Sequence, residues 1–153
     1  MNVDYINPVL DGIVNVMSTM ANVQPKPGRP ILKSDSTAKG DVTGLMSMVG
    51  SNTKGSIAIT FSKPSILEIY FNMLGDTKDT IDEEILNLVG EITNMVTGKA
   101  KALLEEKGYD IGMSLPTVIS GKDHTIDHQS SGQKVLLPFT LSSGQFYVEL
   151  CFE

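Results

Sequence analysis

Apolar residues recur along this chain at two spacings, one helical and one alternating, and their succession predicts three helices among two groups of strands. Ile6, Leu10, Ile13, Met17 and Met20 form one stripe, with Val9, Val14 and Val16 alongside, which predicts a helix from about Asp4 or Asn7 to Met20. Pro8 fits its first turn, where a missing N–H is not needed. The stretch Gln24-Pro25-Lys26-Pro27-Gly28-Arg29-Pro30 stops the helix and imposes an extended connector. Strands are predicted over Ile31 to Thr37, Val42 to Val49 and Gly55 to Phe61, the last two joined as a hairpin by turn-like residues 50–54. Ser62 caps a second helix with Pro64 in its first turn and Gly75 at its end; Ile66, Ile69, Tyr70 and Met73 line one side of it.

A long third helix starts near Thr80, which with Glu83 makes a capping box, and ends at Lys107 and Gly108. A short extended piece follows from Met113 to Ile119, interrupted at Pro116. The chain closes with a hairpin of Lys134 to Leu141 and Gln145 to Phe152, in which Phe146, Val148, Leu150 and Phe152 alternate with Tyr147, Glu149 and Cys151. Helix, strands, two helices and strands again predict an α+β domain with helices packed on a largely antiparallel sheet, and a single domain spanning residues 1–153.

The third helix has two faces. On a helical wheel Ile85, Val89, Ile92, Val96 and Leu103 fall within about 40 degrees of one direction, with Leu88 beside them. Asn87, Glu91, Asn94 and Gly98 gather on the opposite side. A polar outer face is ordinary. Two mid-helix asparagines and a glycine are not, because each costs helix stability at a position where Lys, Glu or Gln would do better. Gly98 also leaves room for a second backbone to approach.

Composition narrows the function classes. Apolar residues make up 41% of the chain and charged residues 20%, as in a soluble globular protein. The net charge of −6, with no block of Lys or Arg, argues against a nucleic-acid partner. Cys151 is the single cysteine, so no internal disulfide forms; it reads as a small buried hydrophobe in a reducing compartment. Met1 to Asp4 opens no signal-peptide core, and no apolar run reaches the length of a membrane span. The expectation is a cytoplasmic protein with no membrane insertion.

Glu91 and Asn94 are an incomplete kit for ordinary hydrolysis, since neither is a strong nucleophile. A carboxamide can, however, position a water by donating and accepting hydrogen bonds at once. That suits a reaction whose electrophile and metal arrive on another molecule, and phosphoryl transfer gains much of its catalysis from such positioning. The segment Gly90-Glu91-Ile92-Thr93-Asn94-Met95-Val96-Thr97-Gly98 and the later Pro116-Thr117-Val118-Ile119-Ser120-Gly121 together resemble, in order and separation, the CheC/CheX/FliY family of bacterial chemotaxis phosphatases, within it the single-site CheX branch.

The resemblance implies a CheC-like fold with two long helices and a shorter one on the sheet. It implies an enzyme that removes the aspartyl phosphate of a CheY-like response regulator. Asn94 would orient the attacking water and Glu91 would contact the regulator's lysine; Asn87, Gly98 and Pro116 would shape the binding surface. The regulator would supply Mg²⁺, with no metal or cofactor held by this chain, and the protein would form a homodimer through its sheet. The family usually carries Ser or Asp where this chain has Asn87. In the first helix Asp11 and Asn15 lack the Glu-x-x-Asn spacing, so one site is expected. The alternative reading is a non-catalytic module that binds a receiver domain. His124 and His128 lie in a segment read as solvated and polar, with metal binding as the lesser reading.

Overall fold

The computed structural model describes residues 3–51, 54–128 and 132–152. In chain order the elements are α1 (Val3–Met20), β1 (Lys26–Pro27), β2 (Ile31–Lys33), β3 (Val42–Gly50), β4 (Lys54–Phe61), α2 (Lys63–Leu74), α3 (Glu83–Glu106), β5 (Ile111–Met113), β6 (Thr117–Ser120), β7 (Gln133–Thr140) and β8 (Gln145–Phe152). Four long strands form the middle of one sheet in the order β7-β8-β4-β3, and each outer edge is bordered by two short strands: β1 and β2 on β7, β5 and β6 on β3. Every strand pairing among the described residues is antiparallel. The expected α+β architecture, with two long helices and a shorter one, is the one found.

Alternation decides which side of the sheet meets the helices. Ile57, Ile59 and Phe61 of β4, with Phe146, Val148 and Leu150 of β8, share one core with Ile13 and Met17 of α1, Ile66 and Ile69 of α2, and Val89, Ile92 and Val96 of α3. The opposite side is also covered. Segments 34–41 and 121–128 cross it, joined by Ala38 N–H to the His124 carbonyl at 2.9 Å and Ile126 N–H to the Ser36 carbonyl at 2.8 Å. Beneath them Ala38, Ala58 and Ile126 form a small second core. The sheet is therefore buried on both faces, which is why Glu149 and Cys151 of β8 are as inaccessible as the phenylalanines they alternate with.

Several boundaries differ from the sequence expectation. α1 begins at Val3, so Pro8 lies beyond its first turn and removes one bond to the carbonyl four residues earlier. Met20 of the expected stripe is 50% exposed, and Ala21 and Val23 just past the end of α1 enter the core instead. The strand expected over Ile31 to Thr37 stops at Lys33; Thr37 makes only an isolated bridge to Thr125. The proline-rich connector is extended, and its Lys26–Pro27 pairs with β7. The second helix is capped as read, by Ser62 accepting from Ser65 N–H at 3.3 Å and by Gly75 in the left-handed region at φ 79°.

Candidate functional site

α3 starts two residues later than the sequence suggested. Its cap is Asp82, not Thr80: the Asp82 carboxylate accepts from Ile85 N–H at 3.1 Å and from Lys78 Nζ at 2.6 Å. The Thr80–Glu83 box is not formed; Lys78 pairs with the capping aspartate, and the first-turn Glu83 and Glu84 lie at the positive end of the helix dipole. Hydrogen bonds from Lys78 and then from Ile85 N–H hold the Asp82 carboxyl below its ordinary pKa. Glu84 also accepts from the Tyr70 hydroxyl at 2.8 Å, tying the start of α3 to α2. At the far end Gly108 N–H reaches the Glu105 carbonyl and Tyr109 N–H the Leu104 carbonyl, both at 3.0 Å, with Gly108 at φ 94°.

The buried side of α3 holds Ile85, Leu88, Val89, Ile92, Val96, Ala100 and Leu104. Leu104, not Leu103, completes the core stripe; Leu103 is only partly buried, beside Lys99 in a hollow between α3 and α1. Thr93 and Thr97 are buried as well, and their hydroxyls return to the Val89 and Thr93 carbonyls at 2.7 and 2.8 Å. With this side fixed, Asn87, Glu91 and Asn94 are held outward and exposed.

The facing wall comes from the edge of the sheet. Met48 pairs with Met113 and Leu45 with Thr117, so Met46 and Ser47 of β3 oppose three residues, Ser114, Leu115 and Pro116. This is a bulge. Ser114 N–H donates to the Ser47 carbonyl at 3.1 Å and Ser47 N–H to Ser114 Oγ at 3.0 Å, which pins its first residue. Between this wall and α3 lies a shallow hollow of about 450 Å³. α3 lines it with Leu86, Asn87, Gly90, Glu91 and Asn94, and the bulge and β6 with Leu115, Pro116 and Val118. The polar side chains of the lining are one carboxylate and two carboxamides. Three of the residues singled out on the helix therefore meet Pro116, far along the chain, in one place. Gly98 sits one turn further along α3, and a Cβ built there would meet nothing within 4 Å.

The family model described as chemotaxis phosphatase CheX matches residues 42–140, well over half of the chain, and these residues include both walls of the hollow. The chain belongs to the CheX family. It is 27% identical over 144 residues to the CheY-P phosphatase CheX of Thermotoga maritima, covering 94% of this chain and 91% of that protein. A solved CheC-like superfamily protein from Shewanella sp. PV-4 is 58% identical, with a TM-score of 0.94 over 100% of this chain and 99% of the other. A CheX–CheY–BeF3–Mg²⁺ complex from Borrelia burgdorferi matches with 26% identity and a TM-score of 0.83 over 99% of each chain. The CheC-like fold implied by the sequence is thus the fold of this CheX-family chain.

The histidine segment is where the sequence reading fails. His128 is 6% exposed, not solvated. Its Nδ1 bonds Ser56 Oγ at 2.5 Å and its Nε2 lies 3.1 Å from Glu149 Oε1, while Lys33 Nζ donates to Glu149 Oε2 at 2.8 Å. His124 bonds Thr43 Oγ1 at 2.5 Å and the Gly121 carbonyl at 2.7 Å. Burial alone would raise the Glu149 carboxyl, but the hydrogen bonds and charges of His128 and Lys33 hold it below its ordinary value. The network lies on the side of the sheet away from α3 and fastens the covering segments to β4 and β8. Among the described residues no three or more His, Cys, Asp or Glu are arranged to hold a metal ion. Cys151 is buried, as expected, with its Sγ donating to the Gly132 carbonyl at 3.2 Å.

Leu115, with Leu86, is a lining residue that sequence reasoning passed over. The available signal was a lone leucine between Ser114 and a strand-breaking proline, a place where an edge strand can bulge. Asp11 and Asn15 of α1 line a separate hollow with Lys99 and Leu103 of α3. No helix among the described residues is long and apolar enough to cross a membrane.

Proposed function

We propose that this protein dephosphorylates the aspartyl phosphate of a CheY-like response regulator, with Asn94 as the catalytic residue and Glu91 as the docking residue. The observation that carries the reading is the joint exposure of Glu91 and Asn94 on α3, facing Pro116 across an open hollow, in a chain of the CheX family. An open hollow suits a substrate that is itself a folded domain. A small molecule would be left largely in water there.

In this reading the Asn94 carboxamide accepts from a water and donates to a second acceptor, holding the water in line with the phosphorus. The water oxygen forms the new bond to phosphorus while the bond to the aspartyl oxygen breaks, giving inorganic phosphate and a free aspartate. Glu91, one turn back on the same face, pairs with a lysine of the regulator. Asn87, Gly98 and Pro116 shape the surface around them. The Mg²⁺ ion belongs to the regulator and arrives with it; the complex from Borrelia burgdorferi, which contains CheX, CheY, BeF3 and Mg²⁺, supports this division. The protein works in the cytoplasm as a single domain with one site, and as a homodimer through its sheet. Ile31 and Leu32, exposed on the edge strand β2, support the homodimer.

The deciding experiment follows the decay of a phosphorylated CheY-like receiver domain with Mg²⁺, with and without this protein. Acceleration by the wild type and its loss in Asn94→Ala are expected. Equal acceleration by both would sink the assignment of Asn94, and binding without acceleration would make the protein a receiver-binding module. Light scattering at micromolar concentration reads the oligomeric state independently.

A further inference from the structure

Leu115 is the most exposed large hydrophobic residue among the described ones, at 87% of its possible surface. The other exposed apolar side chains lie elsewhere: Val14 and Met20 on α1, Ile31 and Leu32 on β2, Val49 at the end of β3, and Phe71 and Leu74 on α2. Leu115 alone stands at the hollow that holds Glu91 and Asn94.

The fold does not need a leucine there. The bulge is fastened by the Ser114 and Ser47 backbones and by Ser114 Oγ, and the chain re-enters β6 at Thr117 after Pro116. None of these bonds involves the Leu115 side chain. A bulge would blunt the sheet edge with any residue at its tip. What this bulge also does is aim one side chain away from the sheet, next to the polar face of α3.

We propose that Leu115 is the apolar anchor of the docking surface, buried in the complex against the receiver domain beside the contacts of Glu91 and Asn94. The inference rests on the function proposed above. Its physical basis is the makeup of the hollow: α3 contributes the polar Asn87, Glu91 and Asn94 beside Gly90 and the half-buried Leu86, and the facing wall is apolar throughout, with Leu115, Pro116 and Val118. Polar and charged contacts on an exposed helix face are weak while water competes for them. An apolar side chain buried beside them supplies affinity and excludes water from the contacts around it. Full burial of a leucine corresponds to roughly ten- to hundredfold in affinity.

The test uses the full chain as wild type, Leu115→Ser and Leu115→Met. Affinity is measured for a beryllofluoride-loaded receiver domain, and steady-state rates for the phosphorylated one. Leu115→Ser is expected to weaken Kd and raise KM by about tenfold with kcat held within about twofold, while Leu115→Met stays near wild type. The midpoint of thermal unfolding should not move, because the side chain has few contacts to lose. An unchanged Kd in Leu115→Ser overturns the anchor, as does a fall in kcat without a change in Kd. A dimer that dissociates in Leu115→Ser while Kd for the receiver holds also overturns it, and assigns the leucine to a second copy of the chain. If the wild type binds the receiver without accelerating decay, the catalytic reading fails while the Kd comparison still decides the anchor. If the wild type does not bind the receiver at all, both fail.

Discussion

Thr93 of α3 lies directly over Gly44 of β3, so close that a Cβ at Gly44 would collide with Thr93 Oγ1. The same hydroxyl donates to the Val89 carbonyl at 2.7 Å, so it cannot swing away without losing that bond. The glycine lets the helix settle on the strand, and the threonine is the immediate neighbour of Asn94. Gly44→Ala should therefore lift the middle of α3, at about 1–3 kcal/mol of stability as an overpacked contact. Urea unfolding measures that loss. A matching fall in phosphatase rate of the folded fraction would show that the seating of α3 sets the position of Asn94.

Asn94 and Glu91 should separate kinetically. If Asn94 holds the attacking water as proposed, Asn94→Ala is expected to lower kcat on the order of a hundredfold with little change in Kd, as for loss of other preorganised hydrogen-bonding groups. Glu91→Ala should weaken Kd for the receiver more than it lowers kcat. Paired single-turnover and binding measurements distinguish the two.

Gly98 is a position where stability and function should move in opposite directions. A Cβ meets nothing within 4 Å there, so Gly98→Ala is sterically free in the isolated protein. It should stabilise by about 0.8–1 kcal/mol, the helix cost of a glycine, and raise Tm by a few degrees. If a regulator approaches this turn closely, Gly98→Trp weakens its Kd while leaving Tm no lower than that of the wild type. Calorimetry and a binding titration on the same two variants read both effects.

Lys33 and Glu149 form an ion pair whose side chains are 3% and 1% exposed. Glu149→Ala leaves a buried lysine without its main partner and should cost about 3–5 kcal/mol. The Glu149 carboxyl is held below its ordinary value when folded, so the unfolded chain takes up its proton first as pH falls. The pair's contribution is then fully present above the ordinary carboxylate range and is lost as pH drops through the lowered folded value. Urea midpoints between pH 7 and pH 3 should fall less steeply in Glu149→Gln than in the wild type. Because the network lies across the sheet from α3, kcat of the folded variant at neutral pH should hold.

The cap of α3 is a simple discrimination. Asp82→Ala removes the acceptor for Ile85 N–H and the partner of Lys78, and should lower Tm. Thr80→Ala should leave it unchanged. Thermal melts of the two variants side by side check the assignment.

The amino-acid sequence by itself determined the local periodicities. It carried three helices, the two hairpins, the Ser62 and Gly75 caps, and above all the split of α3 into a core side and a side bearing Asn87, Glu91 and Asn94. These were legible because a helix or a strand repeats its own pattern within a few residues, and burial acts on every repeat. Only the tertiary structure decided the rest. The bulge that exposes Leu115 depends on the register of residues 113–117 against β3, a pairing between segments far apart in the chain. The burial of Lys33, His128 and Glu149 arises because two distant segments cross the outer face of the sheet, which no single strand's alternation encodes. The choice of Asp82 over Thr80 turned on which side chain reached Ile85 N–H, a matter of local side-chain geometry that residue type alone does not settle. Glu91 and Asn94 were visible as neighbours on a helix; that Pro116 and Leu115 face them required the fold.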